Sequence, residues 1–416
     1  MWGAWGREFT IHTDFRKGTN MFSLTFNRTA AVDRLMHFLA IEGITGQEKA
    51  IGEAVARLLT EHGVPASAIR FDNALTKIPL PTQTGNLIVT LPGTRPGPRR
   101  LLSTHLDSVP LCAGAVPVRK GDRIVPQGKT ALGGDNRTGV AALVTMLAEL
   151  HQQKLPHGPL TVLFTVREES GLWGARMLEP AALGNPVMGF NIDGGSAQTI
   201  TIGAVGADHW EVEIIGKASH AGVHPERGIS ATIIAGRALA AVHKDGWFGK
   251  VKKKAQEGTS NVGPFGDGQG RPAGQATNVV TDFVKIQGES RSHDTKFISA
   301  ITSAYKSAFV QAAKEVRDDK GKMGKVRFTS RCNYYPFHLK ENSPVVATTQ
   351  AVAISLGWDA TLKLSNGGLD ANWLTKHGIP TITFGAGQHD AHTILEYANI
   401  KDFLDGCTFA LALATA

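Results

Sequence analysis

Carboxylates and imidazoles stand at the ends of apolar runs throughout this chain. "LLST" runs into His105 and Asp107, "LTVLFTV" into Glu168 and Glu169, "MGFNI" into Asp193 and "TITFGAG" into "QHDAHTILE", while "ALGGDNRTG" puts Asp135 just before a helix. Two adjacent glutamates at the edge of a core are unfavourable unless something positive sits among them. A solvated strand end explains an arbitrary Glu-Glu, and a lone His-x-Asp is more often structural; the set as a whole is coherent in another way. Carboxylate and imidazole without thiolate suit two divalent ions, zinc, manganese or cobalt, in an open catalytic site rather than a closed structural one. Such an arrangement would use His105 and Asp193 on one ion, Glu169 and His392 on the other, and Asp135 as a bridge. Three carboxylates against two divalent ions leave one positive charge, which a bridging hydroxide would neutralise, and that balance argues for hydrolysis. Glu168 is then left over. Alternation along a strand turns neighbouring side chains in different directions, so Glu168 can serve as general base toward the metal-bridging water and pass the proton to a leaving amine. Asp107, two residues beyond His105, is placed to hold the other nitrogen of the imidazole.

For these residues to meet, the strands that carry them must share a sheet. Residues 29 to 63 read as two amphipathic helices around a Gly-containing turn, the second closed by Gly63. Strands follow at 86–91, 99–106, 160–166 and 187–193, with a helix after Gly139 through "VAALVTMLAELHQQ". Strands that are apolar throughout and alternate with helices predict an α/β fold: a mixed, largely parallel sheet with helices on both faces. Ligands of such open sheets bind at the carboxyl ends of the strands, where these residues lie. The pattern changes near Gly206. "HWEVEIIG" alternates like a half-exposed strand, a helix follows over "SATIIAGRALAAVHK", "TNVVTDFVKIQGESRSH" carries two strand-like stretches, and a long helix precedes the alternating "KVRFTSRCNYY". This predicts an inserted α+β module of ferredoxin-like type. "SPVVATTQAVAISLG", "ANWLTKHG" and "PTITFGAG" then return to helix, helix and strand and complete the first domain. The division is an N-terminal extension over 1–28, a catalytic domain over 29–205 and 336–416, and an insertion over 206–335. "GPFGDGQGRPAGQ" at 263–275 reads as a mobile loop.

Composition narrows the partners. A 416-residue chain with 42% hydrophobic residues can bury a sizeable core. Its formal charge of +8 concentrates in "KVKKK" at 250–254 and "RPGPRR" at 95–100; both lie beside Gly or Pro and lack interleaved aromatics, which reads as solvated loop surface and no nucleic-acid partner. Apolar stretches stop short of the roughly 18 residues of a membrane span, so no membrane partner is expected. The first twenty residues lack the apolar core and cleavage site of a secretory signal and precede a second Met at position 21, and read as a loose extension or a misplaced start. Cys112, Cys332 and Cys407 are too few for a disulfide framework, which fits a reducing cytoplasm.

"THLDSVP", "GGDNRTGVAAL", "REESGLWGA", "NIDGG", "KASHAGVHPERG", "GESRSHD", "SNGGLDAN" and "HDAHTILE" occur in an order and spacing that resembles the dinuclear metallopeptidases that include peptidase T, carboxypeptidase G and the aminoacylases. The resemblance runs from about residue 29 to the C-terminus. It implies His105, Asp135, Glu169, Asp193 and His392 as metal ligands, His392 fitting "HTxxE" better than His389, with Glu168 as base. It further implies a cis peptide between Asp135 and Asn136, a lid that also makes a homodimer, His220 as an oxyanion-stabilising lid histidine, Arg291 as a clamp on a substrate carboxylate and Asn278 as a substrate hydrogen-bonding residue. Two positions depart from the pattern. Asn136 replaces a usual Asp, a near-isosteric change that spares the metals, and Asn366 replaces the Arg of true tripeptidases, which weakens a strict tripeptide specificity. The reading is a cytoplasmic metal-dependent exopeptidase of the peptidase T-like, aminopeptidase branch acting on short peptides. A carboxypeptidase or N-acyl amino acid hydrolase is the alternative on the same scaffold. A non-catalytic binding protein would need a lost ligand or base, and none is lost.

Overall fold

The computed structural model describes residues 25–274 and 276–416; most of the extension read over 1–28, including the suspected start, lies outside the described residues. The two N-terminal helices are Arg28–Leu39 and Lys49–Glu61. Asn27 caps the first by accepting from the Ala30 amide at 3.0 Å, and Gly63 ends the second at φ +93°, a conformation that glycine adopts without strain.

A nine-stranded sheet runs in the order Ile69–Phe71, Leu87–Leu91, Leu160–Thr165, Arg100–His105, Met188–Ile192, Thr381–Phe384, Thr199–Ala204 and Phe337–His338, with Thr361–Ser365 beside Thr199–Ala204. The four central strands, from Leu160–Thr165 to Thr381–Phe384, are parallel, and most flanking pairs are antiparallel. Register aligns His105 with Thr165 and Ile192 with Phe384, so the chain leaves all four strands at one edge. The central strands are buried throughout, the half-buried Arg100 excepted, because helices cover both faces. Gly134–Gln152 packs with Arg28–Leu39 and Ile400–Thr415 on one side. On the other, Leu178, Leu183, Leu374 and Ile379 close over Ile88, Leu101 and Leu163. Helix and strand approach closely at Gly139, where a Cβ would lie 2.2 Å from Thr104 Oγ1 and 3.0 Å from the Ile192 carbonyl oxygen.

The region after Gly206 forms a five-stranded antiparallel sheet, Gly249–Lys253, Gln256–Gly266, Phe283–Ser292, Gly206–Ile215 and Lys325–Tyr334. Helices Ala231–Lys244 and Thr295–Glu315 cover one face with a separate core that includes Trp210, Val212, Ile214, Tyr305 and Phe309. The opposite face alternates in charge, with Lys285 on Glu211 and Arg327 on Glu213, each at 2.7 Å.

Several elements differ from the sequence reading. "KVKKK" is not a loop: it lies almost wholly on the edge strand Gly249–Lys253, where lysines keep an open edge from pairing with another chain. The next strand extends through Gly266 into the stretch read as mobile. Residues 277–293 carry one strand, Phe283–Ser292, preceded by a single bridge between Val279 and His220. The helix expected after Gly139 begins at Gly134, with non-helical Asp135 and Asn136 at its head. Strand Thr361–Ser365, helix Ile400–Thr415 and a small sheet of Pro117–Lys120, Arg123–Pro126, Tyr397–Asn399 and Gln388–His389 carried too little periodicity to be foreseen. Among the described residues no helix is long and apolar enough to cross a membrane.

Candidate metal centre

The chain ends of the parallel strands converge on a line of alternating carboxylates and imidazoles. His105 Nε2 lies 3.1 Å from Asp135 Oδ1 and 4.0 Å from Asp193 Oδ1. The other oxygen of Asp135 is 3.3 Å from His392 Nε2, which is 2.9 Å from Glu169 Oε1. Ligating atoms of His105, Asp135 and Glu169 all lie within 4.8 Å of one another. His392, at φ +65°, thus joins the line, whereas His389 turns away to Asp402 at 2.9 Å and stacks on Tyr397.

Buried carboxylates hold this line from behind. Asp107, fully buried, accepts from the Glu168 amide at 2.9 Å and the Glu169 amide at 3.1 Å, while its own carbonyl, 3.0 Å from His105 Nδ1, is nearer that nitrogen than its carboxylate at 3.4 Å. Glu48 accepts from the amides of Gly46 at 2.6 Å and Arg167 at 3.1 Å. Three successive amides, 167 to 169, are therefore fixed by two carboxylates, which sets the directions of the adjacent glutamates. Glu396 does the same for the turn before the helix, accepting from Leu132, Gly133 and Asp135 at 2.7, 2.9 and 2.9 Å. Gln388 Nε2 donates to Asp193 at 3.0 Å, and the Asp135–Asn136 peptide is cis. Glu48, Glu396 and Gln388 were not anticipated. Glu396 had a signal in the glutamate four residues after His392; the other two are single polar residues without pattern.

So much acid in a crevice needs counter-charge. Burial pushes the Glu168 carboxyl well above its ordinary range, with His105 opposing and Asp193, Glu169 and Asp370 reinforcing the rise. Burial also lifts Glu169 and Asp193 to about 7, each helped by Asp135. Asp135 goes the other way despite its burial, held low by hydrogen bonds to His105 and His392. His392, bonded to Asp135 and Glu169, rises to about 10. Oxygen and nitrogen donors at this spacing, short of positive charge, fit divalent cations.

The insertion's expected site residues stand apart from that line. His220 is exposed, its Nδ1 accepting from Gly222 and Val223 at 3.1 Å, and the Asn278 carbonyl receives the Ala221 amide at 2.8 Å, which places these two residues side by side. Arg291 pairs with Glu289 at 2.9 Å, and the Tyr334 phenol lies within electrostatic reach of both Arg291 and Glu168. Among the described residues no hydrogen bond or ion pair links His220, Asn278 or Arg291 to the carboxylate line. A groove of about 620 Å³ on the open face of the inserted sheet, lined by His209, Glu211, Gln287, Glu289 and Arg331 among others, also contains none of the line's carboxylates.

A parallel-centred α/β sheet with carboxylates and imidazoles at its carboxyl edge defines a metal-dependent hydrolase. Residues 101–416 match the pattern of peptidase family M20/M25/M40, and the chain belongs to that family. It is a metallopeptidase whose structure is similar to that of aminopeptidase PepT from Bacillus cereus, at 30% identity and a TM-score of 0.79 over 94% of this chain and 98% of that one. A tripeptidase from Staphylococcus aureus is similar at 29% identity and a TM-score of 0.82, with the same coverage of 94% and 98%. The uncharacterized protein YqjE of Bacillus subtilis is 29% identical over 93% of this chain and 98% of its own length.

Proposed function

We propose that the chain is an aminopeptidase acting on short peptides, tripeptides included, with His105 and Asp193 holding one divalent ion, Glu169 and His392 a second, and Asp135 both. Zinc is the ion the donor set suits first, with manganese and cobalt as substitutes. The observation that carries this reading is the ligating spacing of His105, Asp135 and Glu169 within 4.8 Å, beside a Glu168 whose backbone is fixed by Asp107. The ions, when bound, supply Lewis acidity toward a peptide carbonyl and toward water.

Glu168 takes the proton of the attacking water and delivers it to the leaving nitrogen, a task suited to a carboxyl whose ordinary range has been raised by burial. Asp107 fixes the direction of that carboxyl and of Glu169, and holds the His105 ring. His220 donates to the developing oxyanion once the insertion closes over the cleft or a partner subunit presents it; Asn278, next to its bridge partner Val279, binds the same end of the substrate. Arg291 receives the substrate carboxylate. A homodimer through residues 206–335 is supported by Ile233 and Val310, exposed on the insertion's two helices at 56% and 36%. Three unpaired cysteines suit a reducing cytoplasm.

Hydrolysis of paired free and amino-acetylated di- and tripeptides tests the direction of cleavage. An aminopeptidase cleaves the free series and spares the acetylated one; cleavage of both would make the enzyme a carboxypeptidase, and release of the acyl group alone an N-acyl amino acid hydrolase.

A further inference from the structure

Where the segment after Glu169 meets the last strand of the insertion, three cations gather without a carboxylate in salt-bridge contact, the nearest influence being that of Arg331 on Glu211. Arg176, on helix Trp173–Met177, lies over the rings of Trp173 at 4.7 Å and Trp373 at 5.2 Å. Arg331 approaches Trp173 at 5.9 Å, and Lys376 lies over Tyr335 at 4.4 Å. Lys285, Arg291 and Arg327 on the inserted sheet all have carboxylate partners, whereas Arg176, Arg331 and Lys376 have none among the described residues. After burial, the charge of Arg331 lowers the Arg176 guanidinium, and Arg176 and Lys376 both act on the Cys332 thiol. The nearby carboxylates are engaged elsewhere, Asp208 with Thr302 at 3.3 Å and Glu211 with Lys285 at 2.7 Å.

The same place has a deficit of acceptors. Arg176 Nη1 and Trp373 Nε1 are both buried without a hydrogen-bond partner. Native proteins seldom leave such donors unmade, because each forfeits the hydrogen bond it made with water. A water would satisfy the donors yet leave the charge uncompensated, whereas an anion answers both needs. A guanidinium and an indole N–H both lacking acceptors suit a planar or tetrahedral oxyanion.

We propose that Arg176, Trp373, Arg331 and Lys376 form a binding site for a small oxyanion of carboxylate or sulfate type at the junction of the catalytic and inserted parts. The site is tied to the proposed base through the backbone: Gly171 and Leu172 donate to the Glu168 carbonyl at 3.0 and 2.8 Å, and Trp173 donates to that of Arg167 at 3.0 Å. The oxyanion is either a free anion or, resting on the peptidase reading above, the carboxylate of a peptide substrate, which this site would then take in place of Arg291.

Sulfate titrated calorimetrically into the metal-loaded protein, at ionic strength held constant with sodium chloride, tests this. Saturable binding is expected, weakened about tenfold or more in Arg176→Met and severalfold in Trp373→Phe and in Lys376→Met. Lys376 is exposed, so its variant reports on the site even if Arg176→Met does not fold. Sulfate held at the metals instead would bind all three variants as it binds the parent. Equal affinities across the set, or no saturable binding, overturn the proposal. The source of the oxyanion is read from kinetics: competition between sulfate and a peptide with a free carboxylate, absent for its amide, identifies the substrate's own carboxylate, and sulfate binding that leaves KM unchanged identifies a free anion.

Discussion

Replacing Asp107 by Ala removes the acceptor of two buried amides, those of Glu168 and Glu169, and the carboxylate contact of His105 at 3.4 Å. Each orphaned amide costs about 1–3 kcal/mol, so the two together cost about 2–6 kcal/mol of a stability that is typically about 5–15. An opposing effect works in the metal-free protein, because Asp107 is a like charge that pushes up the carboxyls of Glu48, Glu169 and Asp370. Asp107→Asn separates the two effects. It removes the same charge but keeps one oxygen, so if hydrogen bonding dominates, Ala is the less stable variant by roughly 1–2 kcal/mol. Urea unfolding of the metal-stripped proteins should place Asp107→Ala below the parent, by less than about 6 kcal/mol because the relieved repulsion offsets part of the loss, and below Asp107→Asn. In the same variants metal affinity should fall by about 10- to 100-fold, as it does when a ligand's supporting carboxylate is lost. A metal-stripped Asp107→Ala protein as stable as Asp107→Asn would refute the view that this carboxylate organises the Glu168–Glu169 turn.

Gly139→Ala should cost about 1–3 kcal/mol or more, because the added methyl meets Thr104 Oγ1 at 2.2 Å and backbone at 3.0 Å; melting curves and metal content measured on the same preparation check it. Metal binding should release protons. At pH 8 His392, raised to about 10, gives up about one, and His105, raised despite its burial well above its ordinary value by Asp107 and Asp135, adds to it. Release grows toward pH 6 as Glu169 and Asp193, raised to about 7, become protonated in the stripped protein, so affinity weakens as pH falls; calorimetry in buffers of different ionisation heat reads the number. Glu289 is held down to about 2 by His209 and then Arg291, so its contribution is complete above its ordinary value of 4.5 and disappears as pH falls toward 2. Because its side chain is 27% exposed, Glu289→Gln should cost no more than about 1 kcal/mol at pH 7, and its urea midpoint should converge on the parent's between pH 5 and 2.

The central sheet was legible because buried parallel strands are largely apolar, and "LLST" and "MGFNI" stop directly at His105 and Asp193 while "LTVLFTV" stops one residue short of Glu168. The two glutamates were legible through their improbability at a core edge. What holds them was not: Glu48 comes from a helix about 120 residues earlier, and nothing in "GQEKA" distinguishes it from a solvated helix start. Edge strand Gly249–Lys253 was hidden by the lysines that protect it, and the four-stranded small sheet by strands of two to four residues. Asp370 lies in "SNGGLDAN", yet its burial and its bond to the Thr165 hydroxyl appear only once helix Asp370–Lys376 is seen against the sheet.

The measurement that bears most directly on the proposed chemistry is turnover of a free tripeptide by metal-stripped protein to which zinc, manganese or cobalt is returned, with Glu168→Ala carried through beside the parent. Both proteins should take up two ions, the parent should regain activity, and the variant should fall short by about 10²- to 10⁴-fold. Near-parental turnover by the variant, or undiminished cleavage by stripped protein, would contradict that chemistry.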